Sequence, residues 1–151
     1  MPKIDVVSEA VIDSSPMKVY KAFLDEIAGV TNWWMPHMKY TLRGDIPIDS
    51  EGAVFDAIIN PTNRMNAKFS SKVTKIVEGK LFEDDITGCF IGTGKWTFEP
   101  TDGKTKVQFR INARTNGLIY SIFAPFVNYE KNHRDIMDKG FNALSSYLNN
   151  K

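Results

Sequence analysis

Six successive strand-like segments with no long helix between them most strongly constrain how this chain can fold. They lie between Tyr40 and about Ala113 and read YTLRGD, AVFDAIIN, AKFSSKVTKIVEG, KLFEDDITG, GKWTFEP and KTKVQFRINA. Each segment is rich in β-branched or aromatic residues and is bounded by turn-forming residues. A seventh segment, IDVVSEAVI at 4–12, precedes them. Because parallel neighbours need long crossover connections, the seven segments predict a mainly antiparallel sheet.

Two helical stretches accompany these strands. In the first, SSPMKVYKAFLDEI at 14–27, Ser14 or Ser15 can cap a helix and Pro16 suits its first position. A second, longer helix is predicted from Pro125 to about Leu148. Its apolar face is predicted to contain Tyr129, His133, Ile136, Met137, Gly140, Leu144 and Leu148. The economical arrangement is an α+β fold in which one long helix packs on one concave antiparallel sheet.

Length and composition predict one domain over residues 1–151. The 151 residues contain no internal repeat or low-complexity linker, and the net charge of +1 gives no general field for nucleic acid. No apolar run approaches the roughly 20 residues that span a bilayer. Cys89 is the single cysteine, and the first residues lack the apolar core of a signal peptide. We therefore expect a cytoplasmic protein with no membrane span and no nucleic-acid partner.

Three stretches resemble the START-like superfamily, also called SRPBCC or the helix-grip fold. SEAVID at 8–13, continued by SSPMKVYKAFLD at 14–25, resembles the first strand of that family running into a helix that starts with proline. GTGKWTFEPTDGKTKVQFRI resembles its penultimate hairpin, and MDKGFNALSSYL resembles the last turns of its final helix. The superfamily includes polyketide cyclases and plant pathogenesis-related class 10 proteins. The resemblance implies a seven-stranded curved sheet gripping the C-terminal helix, one or two short helices after the first strand, and a cavity for an apolar ligand.

The connection TNWWMPHM at 31–38 concentrates apolar side chains where exposure would be costly. Pro36 prevents one long helix from continuing through it. In a helix-grip fold, this connection lies near one end of the gap between sheet and helix. Trp33, Trp34, Met35 and Met38 are therefore candidates for a lid or wall of the cavity. The alternative is that one or both tryptophans fill the core, and adjacent tryptophans usually point in different directions.

Aromatic residues on the strands give a second set of candidates. Trp96 and Phe98 alternate with polar residues, as does Phe109, which places them on one face of the sheet. Ordinary core packing would also explain this pattern, but pockets for apolar ligands are lined in the same way. The predicted ligand-binding residues are Trp33, Trp34, Met38, Phe55, Phe69, Trp96, Phe98, Phe109, Phe126, Tyr129, His133 and Met137.

Catalytic and metal motifs are not recognisable in the sequence. The two histidines and one cysteine lack the spacing of zinc ligands, so no metal or cofactor is predicted. The run EDD at 83–85 is interpreted as a solvated strand end, and His133 as a satisfied core or cavity-rim group. GTGK at 92–95 lacks both the first glycine and the serine or threonine of a phosphate-binding loop.

Three functions are compatible with the sequence, and whether the protein is an enzyme is undecided. The favoured one is binding of a small hydrophobic molecule such as a lipid, sterol or polyketide, because the apolar lining is visible in the sequence. The second is a cyclase or dehydratase in which His133, Tyr129 or Asp56 acts as acid or base. The third is an interaction module for a chaperone or the ribosome, as some members of the resembled superfamily are.

Overall fold

A computed structural model of the protein describes residues 3–62, 66–116 and 129–150. Its elements are β1 (Lys3–Ile12), α1 (Pro16–Ile27), β2 (Met38–Arg43), β3 (Val54–Ile59), β4 (Ala67–Val77), β5 (Leu81–Gly88), β6 (Phe90–Thr101), β7 (Lys104–Thr115) and α2 (Tyr129–Asn149). The strands form one seven-stranded sheet in the order β1-β7-β6-β5-β4-β3-β2. All neighbours pair antiparallel. The predicted helix-grip fold is thus confirmed, whereas the predicted helix start at Pro125 lies outside the described residues.

The first helix begins where the sequence signals predict. Ser15 is the N-cap, and its side-chain oxygen accepts a hydrogen bond from the Lys18 amide at 3.4 Å. Pro16 takes the first helical position, where its missing N–H would have had no partner. After the helix, Gly29 has a φ of 79°. A Cβ at Gly29 would come within 2.9 Å of the Tyr40 carbonyl, so glycine allows the chain to turn tightly beside β2.

The strands alternate between a buried concave face and a more exposed convex face. In β1, for example, Ile4, Val6 and Ile12 are buried, while Asp5 and Val7 are exposed. This period of two is the pattern of a sheet covered on one side. The pairing of β4 with β5 shifts register between Val73 and Lys75. A bulge of this kind increases the local twist and bends the sheet.

The two helices cover different parts of the concave face. In α1, the ring of Phe23 packs against Trp96, Phe82 and Phe98, with centroid distances of 4.3, 5.3 and 5.7 Å. In α2, Met137, Phe141 and Leu144 are buried. The aromatic residue Phe141 was not included in the predicted apolar face, although it lies one helical turn from Met137 and Leu144. Neither described helix has an apolar stretch long enough to cross a membrane.

Candidate functional site: a cavity between the sheet and the last helix

A cavity of about 440 Å³ lies between the concave face of the sheet and α2. Residues of α1 and of the connection after it complete its wall. This volume falls within the roughly 300–1,000 Å³ of typical small-molecule sites. Its aromatic lining residues are Phe23, Trp34, Tyr40, Phe55, Phe69, Phe90, Trp96 and Phe109. The concave sheet therefore supplies most of an apolar container, and α2 forms the opposite wall.

Trp96 and Phe109 form the centre of the aromatic wall. Their rings are stacked at a centroid distance of 4.5 Å and an interplanar angle of 26°. The two residues are partners across β6 and β7, which explains why their side chains meet on the same face. Phe109 also lies 5.7 Å from the ring of His133 on α2. These contacts hold flat apolar surfaces in fixed positions around the cavity.

Trp34 is both a core residue and a cavity wall. It is only 2% exposed and lines the cavity. Its Nε1 donates a hydrogen bond to the Ile136 carbonyl of α2 at 3.2 Å. A side chain at Gly140, one turn further along α2, would overlap the indole ring of Trp34. Glycine at this position therefore lets the connection approach the helix closely. Trp34 thus combines the two roles proposed for the tryptophan pair, filling the core and lining the cavity.

Trp33 lies outside the cavity lining. Its ring stacks on Trp34 at 5.8 Å with an interplanar angle of 7°, and it packs near Tyr147 at 6.4 Å. Its Nε1 donates to the Ala22 carbonyl of α1 at 3.4 Å. Trp33 thus supports Trp34 from the side away from the cavity.

A buried carboxylate fixes the connection that carries both tryptophans. Glu26 of α1 is 2% exposed. Its Oε1 accepts hydrogen bonds from the Thr31 hydroxyl at 2.8 Å and the Trp33 amide at 3.0 Å. Its Oε2 accepts one from the Trp34 amide at 2.9 Å. Several donors satisfy the buried charge, so Glu26 orders the connection instead of leaving it loose. Glu26 was not predicted as a site residue, although it is a charged residue next to Ile27 on the buried side of a helix.

Asp84 is a polar group in the floor of the apolar cavity. It lies on β5 between Phe82 and Ile86, which share its inward direction, and it is 5% exposed. Burial raises the pKa of its carboxyl to about 7, and the adjacent Asp85 adds to the increase. The Ser71 hydroxyl and the Gly94 backbone oppose that shift. Within the described ranges, Oδ1 of Asp84 has no hydrogen-bond partner.

His133 and Tyr40 are two further polar groups of the wall. Burial, with a contribution from Arg134, lowers the pKa of His133 to about 4, so its imidazole is neutral near pH 7. Its buried Nε2 has no hydrogen-bond partner in the part of the chain that the structure describes. Burial raises the pKa of Tyr40 well above its usual value, and the charges of Glu26 and Asp84 act in the same direction. Tyr40 is therefore a neutral phenol that can both donate and accept a hydrogen bond.

Most of the predicted ligand-binding residues line the cavity. These are Trp34, Met38, Phe55, Phe69, Trp96, Phe109, His133 and Met137. Phe98 points to the same concave face, but it is 1% exposed and packs between Tyr20 and Phe23 under α1. Phe126 and the side chain of Tyr129 lie outside the described residues. Whether these residues bind a ligand stays a prediction.

Two interpretations of acidic residues were wrong. The EDD run is not a solvated strand end throughout, because Asp84 has the same parity as Phe82 and Ile86 and points into the cavity. That parity was the sequence signal that could have found it. Asp56, suggested as an acid or base, lies beside inward-facing Phe55 and Ala57 and therefore on the opposite face. There it forms an ion pair with Arg43, and the Ser70 hydroxyl donates to it at 2.6 Å. Partial burial would raise the pKa of Asp56, but these hydrogen bonds bring it below its usual value.

The curved antiparallel sheet, the long final helix and the apolar cavity between them define a helix-grip protein. The model of the family described as "Polyketide cyclase / dehydrase and lipid transport" matches residues 3–148. The chain belongs to that family, which confirms the resemblance to the SRPBCC superfamily. The comparison with curated proteins finds no similar sequence.

Solved structures share the fold at low sequence identity. Protein CV1439 from Chromobacterium violaceum is 12% identical, with a TM-score of 0.71 and 95% of each chain covered. Ara h 8.0201 is 16% identical, with a TM-score of 0.69, 99% of this chain covered and 100% of that one. The Aha1 dimer from Colwellia psychrerythraea is 16% identical, with a TM-score of 0.62 and coverage of 94% and 96%. At these identities the likeness concerns the fold alone.

Proposed function

We propose that this protein binds a small hydrophobic molecule in the cavity between the sheet and α2. The observation that carries the proposal is a cavity of about 440 Å³ whose wall consists mostly of apolar side chains, eight of them aromatic. Covering apolar surface with a ligand is favourable by about 25 cal/mol per Å². The wall is also held in place, because Trp34 is hydrogen-bonded to α2 and its connection is bound by Glu26. A preformed site of this kind loses little conformational freedom when it binds.

Native mass spectrometry followed by solvent extraction tests the proposal directly. The protein is purified without detergent, and we expect a retained apolar molecule that is released on unfolding. Co-purification of a large protein or ribosomal partner in its place would favour the interaction-module alternative. The assay is paired with N-phenyl-1-naphthylamine, a neutral probe whose fluorescence increases in apolar surroundings.

A matched pair of variants separates the cavity from the rest of the surface. Ile111→Trp adds volume inside the cavity, whereas Val7→Trp adds the same side chain on the exposed face of β1. We expect the first variant to weaken probe binding by about tenfold or more, which corresponds to about 1.4 kcal/mol. The second should leave it unchanged. Equal affinity in both variants, with both folded by circular dichroism, would refute a ligand site in the cavity.

Asp84 favours a second candidate, an enzyme of the cyclase or dehydratase type. A carboxyl with a pKa of about 7 can donate or accept a proton near neutral pH, as general acid–base catalysis requires. Incubation of the extracted ligand with fresh protein tests this alternative. A loss of one water mass from the ligand that Asp84→Asn abolishes would favour the enzyme, and recovery of unchanged ligand would favour the carrier.

A further inference from the structure

We propose that Asp84 accepts a hydrogen bond from the ligand, which is therefore an amphipathic molecule bearing a hydroxyl or amino group and not a plain hydrocarbon. This inference rests on the proposed function, because it names the ligand class of the same cavity. The observation that supports the inference concerns one polar atom. Oδ1 of Asp84 is buried at the cavity floor and has no partner among the described residues.

The free oxygen opposes a ligand that is apolar throughout. A buried polar atom without a partner is destabilising, and a wholly apolar ligand would supply no donor that could remove this penalty. A ligand that places a donor against the oxygen removes this penalty and gains a charge-assisted bond when the carboxyl is ionised. The same oxygen therefore disfavours a plain hydrocarbon and favours a ligand that carries a hydrogen-bond donor.

The position beside Asp84 on β6 accommodates its carboxyl because that position is a glycine. On β6 the nearest position is Gly94, where any Cβ would overlap Oδ1 and would come within 3.0 Å of the Phe109 ring. On β4 the nearest polar group is the Ser71 hydroxyl. A larger residue at position 94 would displace the carboxyl. Glycine thus keeps the carboxyl at the floor of the cavity, whose lining also includes Phe109.

The other titratable groups around the cavity do not replace the ligand donor. Tyr40 faces it from β2 and His133 from α2, while Asp85 follows on the same strand. Asp135 and Lys139 line the cavity from exposed positions of α2. Within the ranges described, none of these groups donates a hydrogen bond to Oδ1 of Asp84. Oδ1 is thus left to accept a hydrogen bond from a molecule that enters the cavity.

The chemistry of a carboxyl group indicates a donor on the ligand in either protonation state. An ionised carboxylate accepts through both oxygens, and a protonated carboxyl still accepts through one. A hydroxyl or amino group can therefore bind across the whole range around neutral pH. An amine that is charged would add an ion pair when the carboxyl is ionised.

Three matched probes test the inference by isothermal titration calorimetry. Naphthalene has no donor, 2-naphthol carries a hydroxyl, and 2-(aminomethyl)naphthalene carries an amine. We expect wild type to bind at least one donor probe about tenfold or more tightly than naphthalene. The stronger of the two donor probes shows whether the natural group is a hydroxyl or an amine.

Variants of Asp84 identify the origin of that preference. Asp84→Leu keeps a similar volume but removes the acceptor, so the preference for donor probes should disappear while naphthalene still binds. Asp84→Asn keeps one acceptor oxygen and the shape, so the hydroxyl preference should persist in part and any gain from the amine charge should be lost. Asp85→Leu, on the exposed neighbouring position, is the matched control: it lowers the pKa of Asp84 by removing a neighbouring charge, but it should keep the preference for donor probes.

The outcomes distinguish this inference from the proposed function. If wild type and Asp84→Leu bind all three probes with equal affinity, the cavity binds apolar molecules without using the carboxyl, and the inference is overturned alone. If none of the probes binds wild type, both proposals fail. If Asp84→Leu does not fold, Asp84→Asn tests the inference instead. A preference for the amine probe that persists in full in Asp84→Asn also overturns the inference.

Discussion

At the residue scale, burial favours the neutral form of two titratable groups, Asp84 and His133. Burial raises the pKa of Asp84 from 3.8 to about 7 and lowers that of His133 from 6.5 to about 4. Folding therefore takes up a proton at Asp84 between pH 4 and 7, and releases one at His133 over a similar range. By linkage, the Asp84 contribution to stability is fully present below pH 3.8 and is lost as the pH rises to about 7. The His133 contribution has the opposite sign, because it is lost as the pH falls from 6.5 towards 4.

We predict that Asp84→Asn removes the loss of unfolding free energy that wild type undergoes as the pH rises towards 8. Relative to this variant, wild type should lose on the order of 2–3 kcal/mol of unfolding free energy between pH 5 and pH 8, because a pKa difference of one corresponds to about 1.4 kcal/mol. Urea denaturation of both proteins at the two pH values measures the difference, and groups common to both cancel. His133→Gln is the companion variant and should change the profile below pH 6.5 only. Parallel profiles of wild type and Asp84→Asn would contradict the burial of an ionisable carboxyl.

At the element scale, α2 changes its role along its length. Its first turns carry His133 and Met137, which line the cavity, and its later turns carry Phe141 and Leu144, which are buried in the core. Gly140 lies between the two parts, at the point where the indole ring of Trp34 crosses the helix. The apolar face of α2 thus lines the cavity at one end and packs in the core at the other.

We predict that truncation of the two ends of this face has unequal effects on stability. Leu144→Ala should cost the roughly 2–5 kcal/mol that is typical of a packed core. Met137→Ala should cost less, because one side of Met137 faces the cavity and already lacks neighbours. The two residues are similarly buried, at 3% and 2% exposed, so they form a matched pair for chemical denaturation. Equal losses would mean that the protein has a solid core beside Met137.

At the scale of the whole molecule, periodicity together with the family resemblance predicted the fold but not the polar part of the site. The alternation around Trp96 and Phe109 specified both the strands and the face that these residues share, because a period of two leaves no other arrangement. Asp84 was misjudged because its two acidic neighbours, Glu83 and Asp85, suggested a hydrated strand end. The charge of a residue can be read from the sequence, whereas its burial depends on strands and helices that are distant in sequence. The same limit applies to Glu26, whose partners Trp33 and Trp34 become visible only once α1 and its connection are folded.

The strand order also determines when the sheet can be completed during folding. Strands β2 to β7 are neighbours in the order in which they occur along the chain, so they can assemble through successive hairpins. The first strand pairs instead with the last, as in the bond between Gln108 and Glu9 across 99 positions. Because distant contacts form more slowly than local ones, we predict that amides of β5 and β6 gain protection before those of β1 in pulse-labelling hydrogen exchange during refolding. Earlier protection of β1 would contradict this order. On a ribosome, β1 would then wait for β7, and the cavity would acquire its complete sheet wall only after Thr115 has been made.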